Sequence, residues 1–555
     1  MRRVTTHLPF ALAALVLLLA CGDRTPGSAT GGTVIIASSA DAEILLPPIR
    51  TSVTDRLAVE LLFDPLVEIG PALNPFGDVG FVPRLARAWS WSADSLSITL
   101  DLDPRARWHD GKPVVARDVV AGFAAIRDPA NSSTLLADLA ELDSVSARDS
   151  RTAVFHFRER TAEQMYAVSL VMPLPSHLVD TIPSGSLATS EFARHPVGSG
   201  PYRFVSREPK VRLELEAVED HYRGRPGPDR IALSVSPNPA TAIAKLWTEE
   251  ADVWDVLPPP EVAEAARHPH VRIVPAFAFD YAFIGFNFRD PADTSRAHPL
   301  FGTAAMRRAL TLGVDRAGLV RALFDSLAHP LMGPFVRAQF TADSTIRQIP
   351  FDTAAANALL DSLGWRERGR DGFRRRGGRT LSVRGLVPAP SANRVRASVL
   401  VQEQLRRIGV DLVIDKLEGQ AFGAARDAGR FDVIFGGWGT SPSVRGIRGT
   451  WGSRSRSGWG RLNSGSYSNP RFDASVIAGL GALDPTITKR HFRDAYQTIV
   501  DDAAAIWLYE PVAMNAVHRR FTTPPWRPEA WWRTIPEWRL DAAMRLPRDV
   551  RPTKP

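Results

Sequence analysis

At 555 residues the chain exceeds what one hydrophobic core usually serves, so two or three lobes are expected. A composition 44% apolar and 23% charged is that of a compact soluble protein and excludes wholesale disorder. The formal charge of +8 would suit a polyanion, but only six of the 68 basic residues are lysine and the arginines scatter along the whole chain, so nucleic acid is not expected as a partner.

Arg2 and Arg3 precede an apolar run from Leu8 to Ala20, too short to span a bilayer but suited to a signal-peptide core, which predicts export. The run ends Leu18-Leu19-Ala20-Cys21 and resembles the bacterial lipobox, whose cysteine receives a diacylglycerol before cleavage. Cys21 is the only cysteine, so no intramolecular disulfide can form, and lipidation is its expected use. Residues 1–21 are then a lipoprotein signal and 22–32, polar and glycine-rich, a flexible tether.

After the tether, Thr33 to Ser38 reads as a strand and Val59 to Leu66 as an amphipathic segment. Ser97 to Asp103 alternates as a strand, and Pro113 opens a helix with Val119, Phe123 and Ile126 on one face. Strand patterns return at 153–157, 211–217 and 231–235, followed by a helix from Ala240 to Glu250 and a rigid break at Pro258-Pro259-Pro260. Asp280 to Phe288 is a buried-strand candidate, with a lobe boundary nearby. Helices follow, one N-capped by Asp315 and one capped by Asp352 that stops at Leu363-Gly364. The arginine-rich stretch Arg366 to Arg379 carries Gly377-Gly378 and reads as a hairpin loop. Strands at 381–387, 410–414 and 431–435 then alternate with helix, an order that packs helices on a sheet.

Five separated blocks carry a family resemblance. Phe81 to Ala86, Trp89-Ser90, Trp108 to Pro113 and Ala116 to Val119 form the first, and His195 to Tyr202 (HPVGSGPY) the second. Gly285 to Asn287 with Met306 to Leu310 and Val314 to Arg316 make the third; Ala354 to Trp365 and Gln402 to Val410 complete the set. In this order they resemble the extracellular solute-binding proteins of the peptide and nickel uptake class, family 5. The resemblance implies an α/β, bilobed, periplasmic-binding-protein fold of type II-like form, with an extra subdomain inserted in the first lobe. It implies lobe I from 33–55 and 191–277, the insertion at 56–190, lobe II at 278–500, and a return to lobe I with a C-terminal tail at 501–555.

The function it implies is that of a monomeric substrate-binding component of an ABC importer. Such a protein is held by its lipid at the periplasmic side of the cell envelope, captures a peptide or similar solute between the lobes, and delivers it to permease and ATPase subunits. No cofactor or metal is called for. Trp438 follows an apolar strand among small residues and is placed by the resemblance in the cleft, with Gly437 allowing backbone to approach a ligand. Peptide-binding members carry a carboxylate three residues after this tryptophan; here that position is Ser441, a neutral hydroxyl that lacks the charge-assisted bond to a free amino terminus. Tyr281 and Phe286 at the outgoing crossing, Tyr509 at the return, and Leu46 after the first strand complete the expected ligand-binding set. The stretch Arg445 to Arg456 reads as a solvated loop. His109 and Asp110 look catalytic in isolation but belong to a structural turn in the family. His268-Pro269-His270 lacks a third metal ligand. With no G-x-S-x-G, H-E-x-x-H or G-x-x-x-x-G-K, an enzyme is not expected; an envelope-anchored hydrolase or a ligand sensor on the same body are the rival classes.

Overall fold

The computed structural model describes residues 28–454 and 460–549. The signal segment, most of the tether, Cys21 and Arg456 lie outside the described residues. Among those described, no helix is long and apolar enough to cross a membrane.

A twelve-stranded mixed sheet runs through both lobes. In lobe I, Thr33–Ser38 pairs in parallel with Arg230–Val235, followed outward by Arg212–Ala217 and Tyr202–Glu208. In lobe II, Ser382–Pro388 lies in parallel between Asp411–Leu417 and Val433–Gly439, and the latter pairs with Asp280–Phe286. Two crossings join the halves. Val271–Phe277 and Asp280–Phe286 lead out of lobe I, and the 14-residue strand Ala505–His518 returns, pairing with both. Each half keeps an apolar core of its own: Val34, Leu62, Trp108 and Trp538 lie in one, and Ile284, Leu310, Val401 and Phe435 in the other. The fold is bilobed and α/β.

Within residues 56–190 sits a separate antiparallel sheet of Ala86–Trp91, Ser97–Leu102, Thr152–Phe157 and Leu142–Ala147. Its second strand alternates strictly, with Ile98, Leu100 and Leu102 buried, as a half-buried strand requires. The signature Trp108 to Val119 is a brace for this region. The Asp118 carboxylate accepts hydrogen bonds from the Trp108 indole at 2.8 Å, from Val115 N–H at 2.8 Å, and from the Ser176 hydroxyl at 2.6 Å. His109 is equally structural. Its Nδ1 accepts from Gly198 N–H, so Nε2 carries the proton and donates to Gly200 carbonyl oxygen at 3.0 Å. Burial pushes its pKa down to about 4, the direction this neutral tautomer needs, with the Gly200 bond opposing.

Several element boundaries differ from the sequence reading. The helix expected from Pro113 begins at Ala116, because Pro113 is drawn into a bridge with Arg107 and Asp118 caps the chain further on. The expected break at Pro258 to Pro260 is a helix start: Pro259–Glu264 is helical, and prolines at its first positions forfeit no intrahelical bond. The last residues of the expected tether are docked, since Ser28 and Ala29 pair with Asp541 and Leu540. The C-terminal tail is held by a buried ion network in which Arg520 bonds Asp252 at 2.7 Å, Asp549 at 2.5 Å and the Thr33 carbonyl oxygen at 2.6 Å. Asp315 and Asp352 cap their helices, Gly364 takes a positive φ of 86°, and Arg366 to Arg379 forms the hairpin turning at Gly377 and Gly378.

Candidate ligand-binding cleft

A cavity of about 510 Å3 lies where the lobes meet at the strand crossings, within the size range of small-solute sites. One wall starts from the loop after the first strand. Asp55, in helix Val53–Leu62, accepts the backbone N–H groups of Glu43, Ile44, Thr51 and Ser52 at 2.8 to 3.2 Å. Burial would raise its pKa, but these donors hold it below the usual carboxylate range. The loop so fixed presents Arg50 to the cavity. Arg50 donates to the Pro47 carbonyl oxygen at 2.7 Å, and burial pushes its pKa down to about 10, with Glu60 opposing.

Glu60 is itself saturated by Arg56, Arg533 and the Trp532 indole, each at 2.8 Å. Desolvation would raise its pKa, yet the Arg533 and Arg56 guanidinium groups hold it far below the carboxylate range. Trp531 and Trp532 come from the C-terminal tail, as does Trp526, stacked on Trp531 with centroids 4.8 Å apart.

Asp255 and Val256 form the floor near the return strand. Val256 is held at φ 55°, a region that a β-branched residue avoids. Asn515 Oδ1 accepts its N–H at 3.3 Å, and the Trp254 indole donates to its carbonyl oxygen at 3.3 Å. The Asp255 side chain opens onto the cavity, yet the walls crowd it, and this desolvation pushes its pKa up to about 6 against a small opposing pull from Trp531. Asp280 faces the same space from lobe II; burial raises it and Arg394 pulls it back. Tyr166 faces Ser441 across the cleft, its phenol pushed up to about 12 by burial.

A second contact bridges the lobes. Glu163, 1% exposed and on the inserted region, accepts from the Ser443 hydroxyl at 2.6 Å, Val444 N–H at 3.0 Å and Arg445 Nε at 3.1 Å. Arg445 also reaches Glu141 and the Thr161 hydroxyl, the latter at 2.8 Å, and Arg448 adds to Glu141 at 3.5 Å. Ala162 N–H donates to Leu480 carbonyl oxygen at 3.1 Å, and Phe76 packs edge-on against Phe340 at 5.8 Å. The lobes are therefore in contact through these groups as well as through the crossings. The loop expected to be solvated at Arg445 is instead a lobe-to-lobe ion pair, because its acidic partners arrive from nearly 300 residues away.

A family model described as bacterial extracellular solute-binding proteins, family 5, middle region, matches residues 80–457. The chain belongs to this family. Oligopeptide-binding protein AppA of Bacillus subtilis is 24% identical over 453 residues, covering 79% of this chain and 81% of its own. Di/tripeptide-binding protein 2 of Pseudomonas aeruginosa is 24% identical over 452 residues, 77% of this chain and 80% of the relative. Among solved structures, the substrate-binding protein CtaP of Listeria monocytogenes superposes with a TM-score of 0.79 at 20% identity, covering 92% of this chain and 100% of that one. NikZ of Campylobacter jejuni, solved with Ni(L-His), gives 0.74 at 21% identity, over 91% and 99%.

Of the residues singled out by sequence, the structure puts Ser441 on the cavity wall of this solute-binding protein. Its backbone carbonyl oxygen is held by Gln339 at 3.1 Å. Trp438 and Gly437 lie on the adjoining strand, half-buried, opposite Tyr281 and Ala282. A side chain at position 437 would meet Arg394 at 2.3 Å, so glycine there makes room for that guanidinium. Tyr281 is buried with its hydroxyl accepting from the Trp451 indole at 2.9 Å; Phe286 packs on Phe301 and Tyr509 on Phe324. Leu46 is buried in the lobe I core, beside a separate surface hollow. Arg50, Asp255, Trp531 and Trp532 were not singled out. For the tryptophans a signal existed: four of the chain's 14 fall within residues 526–538.

Proposed function

We propose that this protein is the lipid-anchored, solute-capturing component of an ABC importer, taking a peptide or related small solute into the interlobe cleft outside the cytoplasmic membrane and passing it to a permease and its ATPase. The observation that carries this reading is the cavity of about 510 Å3 between lobes joined by strand crossings and by further contacts that can part. Hinge closure over a solute excludes water and strengthens each polar contact made there. Supporting it, the curated relatives carry the names oligopeptide-binding and di/tripeptide-binding protein, and the AppA structure holds a nonapeptide. Ser441 and its neighbour Trp438 contact the solute. Gly437, Tyr281, Phe286 and Tyr509 shape the wall from behind. The anchor is diacylglycerol on Cys21, and the working unit is a monomer.

Binding without turnover distinguishes this function from hydrolysis. The protein is melted with di- to pentapeptides, metal chelates and oligosaccharides, and the mixtures are then analysed by mass spectrometry. Stabilisation that grows with ligand concentration by mass action, with every ligand recovered intact, is the expected result; cleaved ligand would assign a hydrolase instead. Mass analysis of the mature N-terminus reads the Cys21 lipid directly.

A further inference from the structure

Between Arg366 and Arg379 seven arginines stand against two acidic residues, and the fold treats one of the seven unlike the rest. Arg374 is 3% exposed and is spent inside: its guanidinium donates to the Ile408 carbonyl oxygen at 2.7 Å, to the Trp365 carbonyl oxygen at 2.5 Å and to Asp361. The small sheet of Glu367–Arg368, Arg374–Arg376 and Arg379–Thr380 is thereby pinned to lobe II. Its turns stand clear of the body, since a methyl group added at Gly372, Gly377 or Gly378 would meet nothing within 4 Å.

Around these turns Arg366, Arg368, Arg370, Arg376 and Arg379 are exposed, and Arg406 joins them from the end of helix Ala392–Arg407 by stacking on Phe373 at 5.5 Å. None of the six forms an ion pair among the described residues. The bonds they make go to carbonyl oxygens and to Asn357, and Arg376 also stacks on Trp365 at 4.7 Å. The nearby acids do not balance them. Asp371 pairs with Arg375 at 2.8 Å, Asp361 feels Arg366 and Arg368 but is bonded to Arg374, and only Glu367 is left exposed on the hairpin. Exposed arginines on other strands answer to carboxylates, as Arg87 does to Asp101, Arg158 to Asp143 and Arg203 to Glu216. A face that keeps its cations unanswered is complementary to an outside array of negative charge.

A bilayer is within reach of that face. Cys21 precedes Ser28 by seven residues, which span at most about 25 Å, and Ser28 is already docked on Asp541. That reach is close to the radius of gyration of a body this size, roughly 24 Å. An acyl group on Cys21 therefore brings the body itself to the headgroups, and charge decides which face it turns toward them. Projecting turns ringed by guanidinium forks suit phosphate groups that can rearrange beneath them, whereas an acidic protein would offer carboxylates in a fixed register.

We propose that this hairpin, with Arg406, is a membrane-docking face whose guanidinium groups lie against anionic phospholipid headgroups, so that lobe II as well as the tethered lobe I rests at the bilayer. The reach argument rests on the Cys21 anchor of the proposed function, and the charge argument stands without it. Lipid and basic patch then act as the two signals that hold a protein to a membrane.

The test mixes the intact protein with vesicles of phosphatidylcholine alone, or of three parts phosphatidylcholine to one part phosphatidylglycerol, and follows amide hydrogen exchange across residues 366–379 by mass spectrometry. Exchange is expected to be at least threefold slower on the anionic vesicles than on the neutral ones, and the difference to vanish in about 0.5 M NaCl, where screening shortens to a few ångströms. The double variant Arg370→Glu with Arg379→Glu should lose the slowing, and Arg370→Lys with Arg379→Lys should keep it; thermal melts confirm that both are folded. Equal exchange on the two vesicles, or slowing that survives the charge reversal, overturns the proposal. So does slowing by polyglutamate without slowing by the anionic vesicles, which would assign an acidic protein as the partner. Flotation with the neutral vesicles reads the anchor separately: failure to float refutes the lipid on Cys21, while slowed exchange on the anionic vesicles would still uphold the docking face.

Discussion

Asp255 is a carboxyl group whose surroundings favour its neutral form. Its pKa of about 6 in the fold stands above the unfolded value near 4, and Trp531 alone favours the charge, with no cation from any packed element to help. The sign follows from linkage: a raised folded pKa gives stability that is complete below about pH 4 and is lost as pH rises through about 6. Asp255→Asn, which cannot ionise, should therefore match the wild type in melting at pH 4 and exceed it at pH 7, with the gap opening between the two. Melts of the unliganded proteins across that range check it, and a constant difference at every pH would count against it. Arg50 is the counterpart, a cation made less comfortable by burial and compensated in part by Glu60.

The motif blocks act at the scale of elements, because several turn out to be joints. The turn Val197 to Tyr202 runs so close to helix Val53–Leu62 that a methyl group on Gly198 would stand 1.8 Å from the Leu62 carbonyl oxygen. Gly198→Ala should cost about 3 kcal/mol or more of stability, more than ordinary overpacking, since backbone on both sides must shift. Urea titration measures it; a loss within 0.5 kcal/mol, about the size of an ordinary surface substitution, would contradict the close approach. Such joints were legible in sequence because glycine, proline and capping aspartate report local backbone geometry: Asp315, Asp352, Gly364 and the Gly377-Gly378 turn all stand where their chemistry puts them. Pro113 and Pro258 to Pro260 were less legible, since a proline fits a bridge, a break or a first helical turn equally well, and only the partners decide. The cleft was least legible. Tyr281, Phe286 and Tyr509 have the character of ligand walls but are consumed by their own cores, whereas Arg50 and Asp255 are brought to the cavity by the tertiary fold, a property that no local pattern carries.

At the scale of the whole molecule, the crossings and the Glu163 contact do different things. Strands 280–286 and 505–518 are paired through backbone bonds, with one irregularity between Ala282 and Phe283, so they can bend but not part. The contact of Glu163 with Ser443, Val444 and Arg445 is made of side chains and one loop, and water can replace all of it if the lobes open. Burial raises the pKa of Glu163 against the pull of Arg445, so the contact is strong only while the lobes keep it dry. Truncating one partner of such a buried pair removes about 2 kcal/mol or more from the closed state, some thirtyfold in the closed-to-open ratio. Arg445→Ala should therefore enlarge the radius of gyration of the unliganded protein in solution scattering, with saturating ligand returning it toward the wild-type value at a weaker apparent affinity. Unchanged scattering together with unchanged affinity would show that the crossings alone hold the lobes shut.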